Sequence, residues 1–375
     1  MRLGEGLSRH TVGRSFLSRF AARFDWPLFV TVLLICGIGL VNLYSALSGR
    51  GHALFTRQVI FMSFGLCVYL GMTAFDYRLW QRFAWWILGG AVSVLLLVAV
   101  IGFVAKGARR WIDLGFVAVQ PSELAKIAVI MALARVAQDS EGGDVPRPEL
   151  AVKIGFLCLV PGLILIQPDL GTASLCALIM LSVGFCCARR LWPLYTLLGV
   201  GLASLPFMWD RMHQYQRDRV LAFLDPGADP TGVGWHTSQS ILAVGSGRMT
   251  GSGWLNGSQN RFRFLPEQWT DFPFSVWAEE WGFLGCLVLL ALFVFLIVWI
   301  VNVALNARDR FGAVLCLGVA AMILWHTFVN IAMVLGLAPV VGVTLPLVSY
   351  GGSSLVTILA GLGLVSSVSA RRHGY

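Results

Sequence analysis

Asp271 lies in the stretch QWTDFPFSVWAEEWG, followed by Glu279 and Glu280, at the mouth of a long apolar run. Carboxylates in such a place carry a desolvation cost unless something uses them. Asp271 precedes Pro273, which suits the first turn of a helix. A carboxylate there stabilises the positive end of the helix dipole, or it serves as a base that removes a proton from a hydroxyl. The helix terminus favours the ionised form and burial favours the neutral one. Residue chemistry alone leaves both roles open.

Other polar residues pose the same question. Glu123 and Lys126, in QPSELAK, are spaced i, i+3 and share a helix face that begins near Pro121. They form either a self-neutralising pair or a lysine that faces a phosphate and is oriented by its glutamate. Asp169, in QPDLG, sits at a tight turn between two apolar runs, a position that suits a helix cap. Ser349, Ser353 and Ser354 lie in SYGGSS, where adjacent glycines interrupt a helix. His326 is alone in an apolar stretch and reads as a core histidine or a helix-to-helix hydrogen bond. Arg109 and Arg110 fall in the short loop KGARRW, and a cluster of this kind suits an anion.

The elements that position these residues are membrane spans. Of 375 residues, 57% are hydrophobic and 13% charged; a soluble domain is about 25% charged. About 20 apolar residues cross a bilayer. Spans are expected over 27–47, 58–75, 83–104, 119–137, 154–168, 170–188, 191–209 and 275–301. The uncharged run 311–370 is too long for one helix and is broken into two by Gly336, Pro339, Gly342 and Pro346. The sequence therefore predicts an all-α polytopic membrane protein of ten helices, with residues 1–24 as a basic cytoplasmic tail and 25–375 as one domain.

Arginine distribution orients the spans. With the N-terminus cytoplasmic, every inside segment is basic, including Arg189/Arg190 and Arg371/Arg372. Two outside segments are basic as well: KGARRW, and the long loop 210–273 between helices seven and eight. Long loops translocate whatever their charge, which accounts for the second better than the first. The loop reads as a short helix in DRMHQYQRDRVLAFL, then as turns, then as the glycine-rich GSGRMTGSGW, where close backbone or ligand approach is permitted.

Several function classes are excluded. The net charge of +9 fits anionic lipid and basic inner loops, and there is no basic run with interleaved aromatics for nucleic acid. The eight cysteines lie in apolar segments with no C-x-x-C pair, so neither a zinc site nor a disulfide framework is signalled. No Walker loop, zinc-helix motif or nucleophile elbow is present.

FLDPGADPTGVGWHTSQSILAVGSG, GSGWLNGSQNRFRFLPEQWTDFPFSVWAEEWGFLG and GLAPVVGVTLPLVSYGGSS resemble the SEDS family (shape, elongation, division and sporulation). GARRWIDLG, QPSELAKIA and QPDLGTA match its earlier blocks, in order. The likeness extends from the first span to the last and is closer to the elongation branch, RodA, than to the division branch, FtsW. It implies a peptidoglycan glycosyltransferase that polymerises lipid II into glycan strands on the outer face of the bacterial plasma membrane. It places the family's essential aspartate on Asp271, and diphosphate or substrate contacts on Arg109, Arg110, Glu123, Lys126, Asp169, Ser349 and Ser353. A divalent cation, Mg or Mn, would share the diphosphate, although no clear ligand set is visible. The implied partner is a single-span class B penicillin-binding protein, expected against spans 281–301 and 311–335 at Ala320 or Ala321. A lipid II flippase and a non-catalytic scaffold share the same general features. Trp269, Pro273 and Ser252 depart from the family's usual His, Ile and Lys.

Overall fold

The computed structural model describes residues 24–48, 52–105, 108–113, 115, 118–140, 147–187, 192–225, 233–262, 264 and 267–372. The expected tail, apart from Phe24, and Arg189/Arg190 lie outside the described residues. The first helices are α1 (Trp26–Ala46), α2 (Ala53–Ala74) and α3 (Tyr77–Ile101). Strands β1 (Phe103–Ala105), β2 (Ala108–Asp113) and β3 (Ala118–Val119) come next, then α4 (Pro121–Asp139), α5 (Arg147–Ile166), α6 (Leu170–Cys187) and α7 (Trp192–Arg211). The long loop folds as α8 (Gln214–Leu224), α9 (Val233–Ser246) and α10 (Ser258–Arg261). The chain closes with α11 (Pro273–Leu305), α12 (Arg310–Val334) and α13 (Gly352–Arg371).

Eight of these helices are long and apolar enough to cross a membrane among the described residues: α1, α2, α3, α5, α6, α11, α12 and α13. The expected spans at 119–137 and 191–209 are occupied by α4 and α7. Helix α4 carries Glu123, Lys126, Arg135 and Asp139, and it tolerates the first two because it is the inner helix, packed among α3, α6, α12 and α13.

The helix starts follow local chemistry. Pro121 and Pro273 each open a helix, where the missing N–H is one the helix could not pair. Asp25 caps α1 through Leu28 N, and also accepts from Trp299 Nε1 (2.9 Å) and Ser369 Oγ (2.5 Å). One aspartate thus ties α1, α11 and α13 at the basic end of the bundle. Asp309 caps α12 through Gly312 N (2.7 Å) and accepts from Tyr77 Oη (2.8 Å).

The all-α expectation needs one correction. Between α3 and α4 the chain forms a small antiparallel sheet in the order β1-β2-β3. The apolar run read as helix to residue 104 ends at Gly102, and Phe103 onward is strand paired with β2. A ladder pairs backbone groups where the chain leaves the last helical turn. A second correction concerns the expected docking residues. Ala320 and Ala321 are both buried, because α12 is enclosed by α4, α6, α11 and α13. Helix α11 carries most of the outward apolar face of the two spans, with Phe283, Leu284, Leu287, Val288, Val294 and Val298 exposed, and α12 adds Leu324 and Phe328.

Helix α11 is broken at Gly282, whose φ is 65°. A break frees carbonyls before it and N–H groups after it. The glycine-rich loop after α9 satisfies both sets. Ser252 N and Gly253 N donate to the carbonyls of Glu279 (2.9 Å) and Glu280 (3.1 Å). Phe283 N and Leu284 N donate to the carbonyls of Arg248 (2.9 Å) and Met249 (3.1 Å). Backbone lies directly on backbone, so side chains must be absent. A Cβ on Gly251 would stand 2.1 Å from Glu280 O, and one on Gly282 2.3 Å from Gly251 N. The glycines read as permitting close approach therefore approach a helix.

Gly251→Ala should lower the melting temperature in detergent by an amount equivalent to about 3 kcal/mol, the scale of a substitution that breaks a packed backbone contact. Gly37→Ala, where a Cβ meets nothing within 4 Å, should leave melting unchanged. Equal melting of the two variants contradicts the clasp.

Candidate active site

Asp271 ends the turn 267–271 that leads into α11. Every part of that turn is held. Asp271 N donates to Glu267 O (3.1 Å) and Asp271 O accepts from Asn330 Nδ2 (2.9 Å). Tyr350 N donates to Trp269 O (2.8 Å), and Gln268 Nε2 to Ala46 O (2.6 Å). Asn42 Nδ2 donates to Pro273 O (2.9 Å). Helices α1 and α12 and the chain before α13 thus fix one turn, on which a half-buried carboxylate sits.

Asn330 does more than hold Asp271. Its Nδ2 also donates to Val343 O (2.7 Å). Residues 335–351 are not helical, yet Leu345, Leu347, Val348 and Ser349 are buried. Irregular backbone at this depth is tolerated only inside protein. Its groups are paired by side chains: Ser349 Oγ accepts from Leu345 N (2.8 Å), and Gln58 Nε2 donates to Ser349 O (3.2 Å). Ser353 Oγ accepts from Gln120 N (3.2 Å) and donates to Ala118 O (3.3 Å), tying α13 to β3 and α4. Ser354 shares a hydrogen bond with Thr344 (3.0 Å). Both serines expected at a substrate site therefore brace the break.

The arginine-rich loop meets the site through α8. Arg110 Nε donates to Gln167 O (3.2 Å), and its Nη2 donates to Tyr215 Oη (2.7 Å) and to Pro168 O. Its Nη1 lies 3.9 Å from Asp169 Oδ1. Tyr215 Oη donates to Pro168 O (2.5 Å) and Gln216 Nε2 does so at 3.2 Å. Burial pushes the Tyr215 phenol above its usual range, against the pull of Arg110 and Arg219, so it remains a neutral donor. Asp169 caps α6, accepting from Thr172 N (3.2 Å) and Thr172 Oγ1 (3.0 Å), and it accepts from Gln120 Nε2 (3.0 Å). Arg109 lies on β2 opposite Val104.

A cleft opens here, walled by Arg110, Asp169, Tyr215, Arg219, Pro339 and Val341. Adjacent to Val341 in the chain is Gly342, at φ +74°; a Cβ there would stand 3.7 Å from Asp271 Oδ2 and 3.9 Å from Arg219 Nη1. Asp271 and Arg219 thus flank one small space. In the sequence Arg219 is one charge among several in the long loop 210–273, whose charge carries little signal. Its position four residues after Tyr215 on a helix was the available signal.

Glu123 and Lys126 do not line this cleft. Lys126, 1% exposed, donates to Glu123 Oε1 (2.9 Å) and to His326 Nε2 (2.7 Å). His326 Nδ1 faces Met322 O (2.7 Å), so Nδ1 carries the hydrogen and Nε2 accepts from the ammonium. His326 is thus the helix-to-helix hydrogen bond anticipated from the sequence. It sits one turn of α12 deeper than Asn330.

Glu279 and Glu280 are each 1% exposed. Glu279 Oε1 accepts from Gln259 N (2.8 Å) and Ser258 Oγ (3.1 Å), at the start of α10. Glu280 Oε1 accepts from Ser45 Oγ of α1. They fasten the long loop and α1 to the break in α11. Among the described residues, no three His, Cys, Asp or Glu side chains gather as a metal site, so we assign no protein cage to a divalent cation.

Residues 26–374 match the family described as cell cycle protein, FtsW/RodA/SpoVE. The chain belongs to this family. It is 42% identical to the peptidoglycan glycosyltransferase MrdB of Escherichia coli K12, over 91% of this chain and 93% of that one. It is 30% identical to the peptidoglycan glycosyltransferase RodA of Treponema pallidum, over 94% and 99%. Its fold matches a chain solved in work on the structural coordination of polymerization and crosslinking by a peptidoglycan synthase complex, with a TM-score of 0.79, 34% identity and coverage of 94% and 99%. It also matches the rod shape determining protein RodA of Thermus thermophilus, with a TM-score of 0.71, 31% identity and coverage of 94% and 98%. The three departures from the family pattern fit this geometry. Trp269 contributes a backbone carbonyl to Tyr350, Pro273 occupies a first-turn position, and Ser252 Oγ donates to Glu279 O (3.0 Å).

Gly342→Ala places a methyl group between Asp271 and Arg219 in a left-handed conformation that disfavours a side chain by about 1–2 kcal/mol. Glycan synthesis by the purified variant should fall by about tenfold or more, a loss of at least ~1.4 kcal/mol in transition-state binding, with normal membrane levels. Unchanged synthesis would place the reacting groups elsewhere.

Proposed function

We propose that this protein is a peptidoglycan glycosyltransferase that polymerises lipid II by inverting transfer at Asp271. The observation that carries this reading is a half-buried carboxylate, fixed through its backbone, facing a small space shared with a guanidinium. Polymerisation joins a sugar hydroxyl of one chain to the anomeric carbon of another and expels a lipid diphosphate. The donor linkage is α and the product β, so one displacement suffices. It needs a base for the acceptor hydroxyl and positive charge for the leaving group. Asp271 takes the proton. Arg110, at the cleft, contributes positive potential. Lys126 would reach a phosphate only by giving up Glu123 and His326, so the geometry favours the self-neutralising role for it.

Helices α1 to α7 with α11, α12 and α13 make the ten spans, which gives both termini the cytoplasmic side. Helices α8 to α10 then form the extracytoplasmic loop between the seventh and eighth spans. The arginine bias and the even count support this arrangement. A single-span cross-linking partner of class B penicillin-binding type would meet the exposed apolar face of α11; the match to a chain from a peptidoglycan synthase complex supports such a partner.

Asp271→Asn should reduce polymerisation of lipid II by purified protein about 10²-fold or more, the scale of general-base catalysis, at wild-type abundance. Near-wild-type glycan synthesis would falsify the assignment. For orientation, a cysteine at exposed Asn256 should react with an impermeant thiol reagent added outside intact cells; reaction only from the cytoplasmic side reverses the topology.

A further inference from the structure

The arginines around the cleft differ in what they already hold. Arg110 is engaged by two carbonyls, Tyr215 and Asp169. Arg217 Nε donates to Trp209 O (3.0 Å), with its guanidinium 5.8 Å from the Trp209 ring. Arg219 donates no hydrogen bond and makes no ion pair within 4 Å among the described residues. Its guanidinium lies 5.9 Å from the Tyr215 ring centroid, a contact that orients the plane and leaves the N–H donors available. It is half-buried, on a helix anchored to the Pro168 carbonyl by Tyr215 and Gln216.

A fixed guanidinium with unused donors, in a cleft beside a carboxylate, is built for an anion. Its fork matches the oxygens of phosphate groups in pairs. The other walls include Leu170, Val220, Pro339 and Val341, apolar surface suited to an alkyl chain. We infer that Arg219 is the residue that binds the diphosphate of the lipid-linked donor, beside Asp271. The inference rests on the proposed function and assigns its leaving-group site. In the step, the acceptor oxygen forms a bond to the anomeric carbon as the bond from that carbon to the diphosphate oxygen breaks. The hydroxyl proton goes to Asp271. The bonding pair leaves with the diphosphate, which gains one negative charge, and Arg219 stabilises it. Arg110, held by its own partners, keeps Tyr215 in place beneath Arg219.

The test separates this site from catalysis. In an Asp271→Asn background, binding of farnesyl diphosphate to detergent-purified protein is measured by calorimetry. The background also removes the nearby negative charge, so an effect of Arg219 on affinity concerns the ligand. Adding Arg219→Gln should weaken diphosphate binding about tenfold or more, the scale of losing a charged hydrogen-bonded contact. Arg219→Lys should recover part of that loss. Arg217→Gln, which removes the same charge from the same helix, should retain affinity within about twofold. Unchanged affinity in Arg219→Gln, or equal losses in Arg217→Gln and Arg219→Gln, overturns the inference. The Lys variant decides the matter if the Gln variant unfolds: lysine binding as tightly as arginine contradicts a forked contact. Active Asp271→Asn protein would defeat the base assignment while leaving the affinity result readable.

Discussion

Backbone polar groups in a bilayer must be satisfied within the protein, and this structure breaks helices where that demand is hardest to meet. Helix α11 is interrupted at Gly282, and the chain between α12 and α13 runs without helix from residue 335 to 351. Each break frees backbone donors and acceptors that the helix no longer pairs. The long loop between α7 and α11 inserts its backbone into the first, and Asn330, Ser349 and Gln58 serve the second. Much of the polar content of this otherwise apolar chain follows from those two repairs.

The carboxylates in WAEEWG belong to this framework. Glu279 holds α10, Glu280 holds α1, and their carbonyls hold the glycine loop. Asp271 differs, because its backbone is held on both sides and its carboxylate is half-buried beside Gly342, close to Arg219. Asn330 Nδ2 donates to both Asp271 O and Val343 O, so one amide group ties the turn before α11 to the non-helical segment before α13. The carboxylate's position beside Gly342 and Arg219 therefore depends on a side chain from a different helix.

Much of this was legible in the sequence, and the reasons differ by feature. Pro121, Pro273 and the Gly336 to Pro346 cluster act locally, so they marked two helix starts and one break correctly. The capping role of Asp169 follows from its place in a turn, and its neighbour Thr172 completes it. Partners distant in sequence were not visible. Nothing in either segment pairs Lys126 with His326, or announces that Ala320 and Ala321 face inward. Phe103 and Val104 continue an apolar run, so the sequence predicts helix where β1 pairs with β2. Arg219 was missed because charge in a long loop carries little signal until the loop's helix is seen folded over the cleft.

Asn330 holds the turn that positions the Asp271 carboxylate, and a double-mutant cycle between Asn330 and Asp271 tests this most directly. Glycan polymerisation by purified protein is compared for wild type, Asn330→Ala, Asp271→Asn and the pair. If Asn330 acts through Asp271, its loss slows the wild type by about tenfold or more and slows the Asp271→Asn protein little further. Additive losses would show that Asn330 contributes independently of the carboxylate, and would contradict the account.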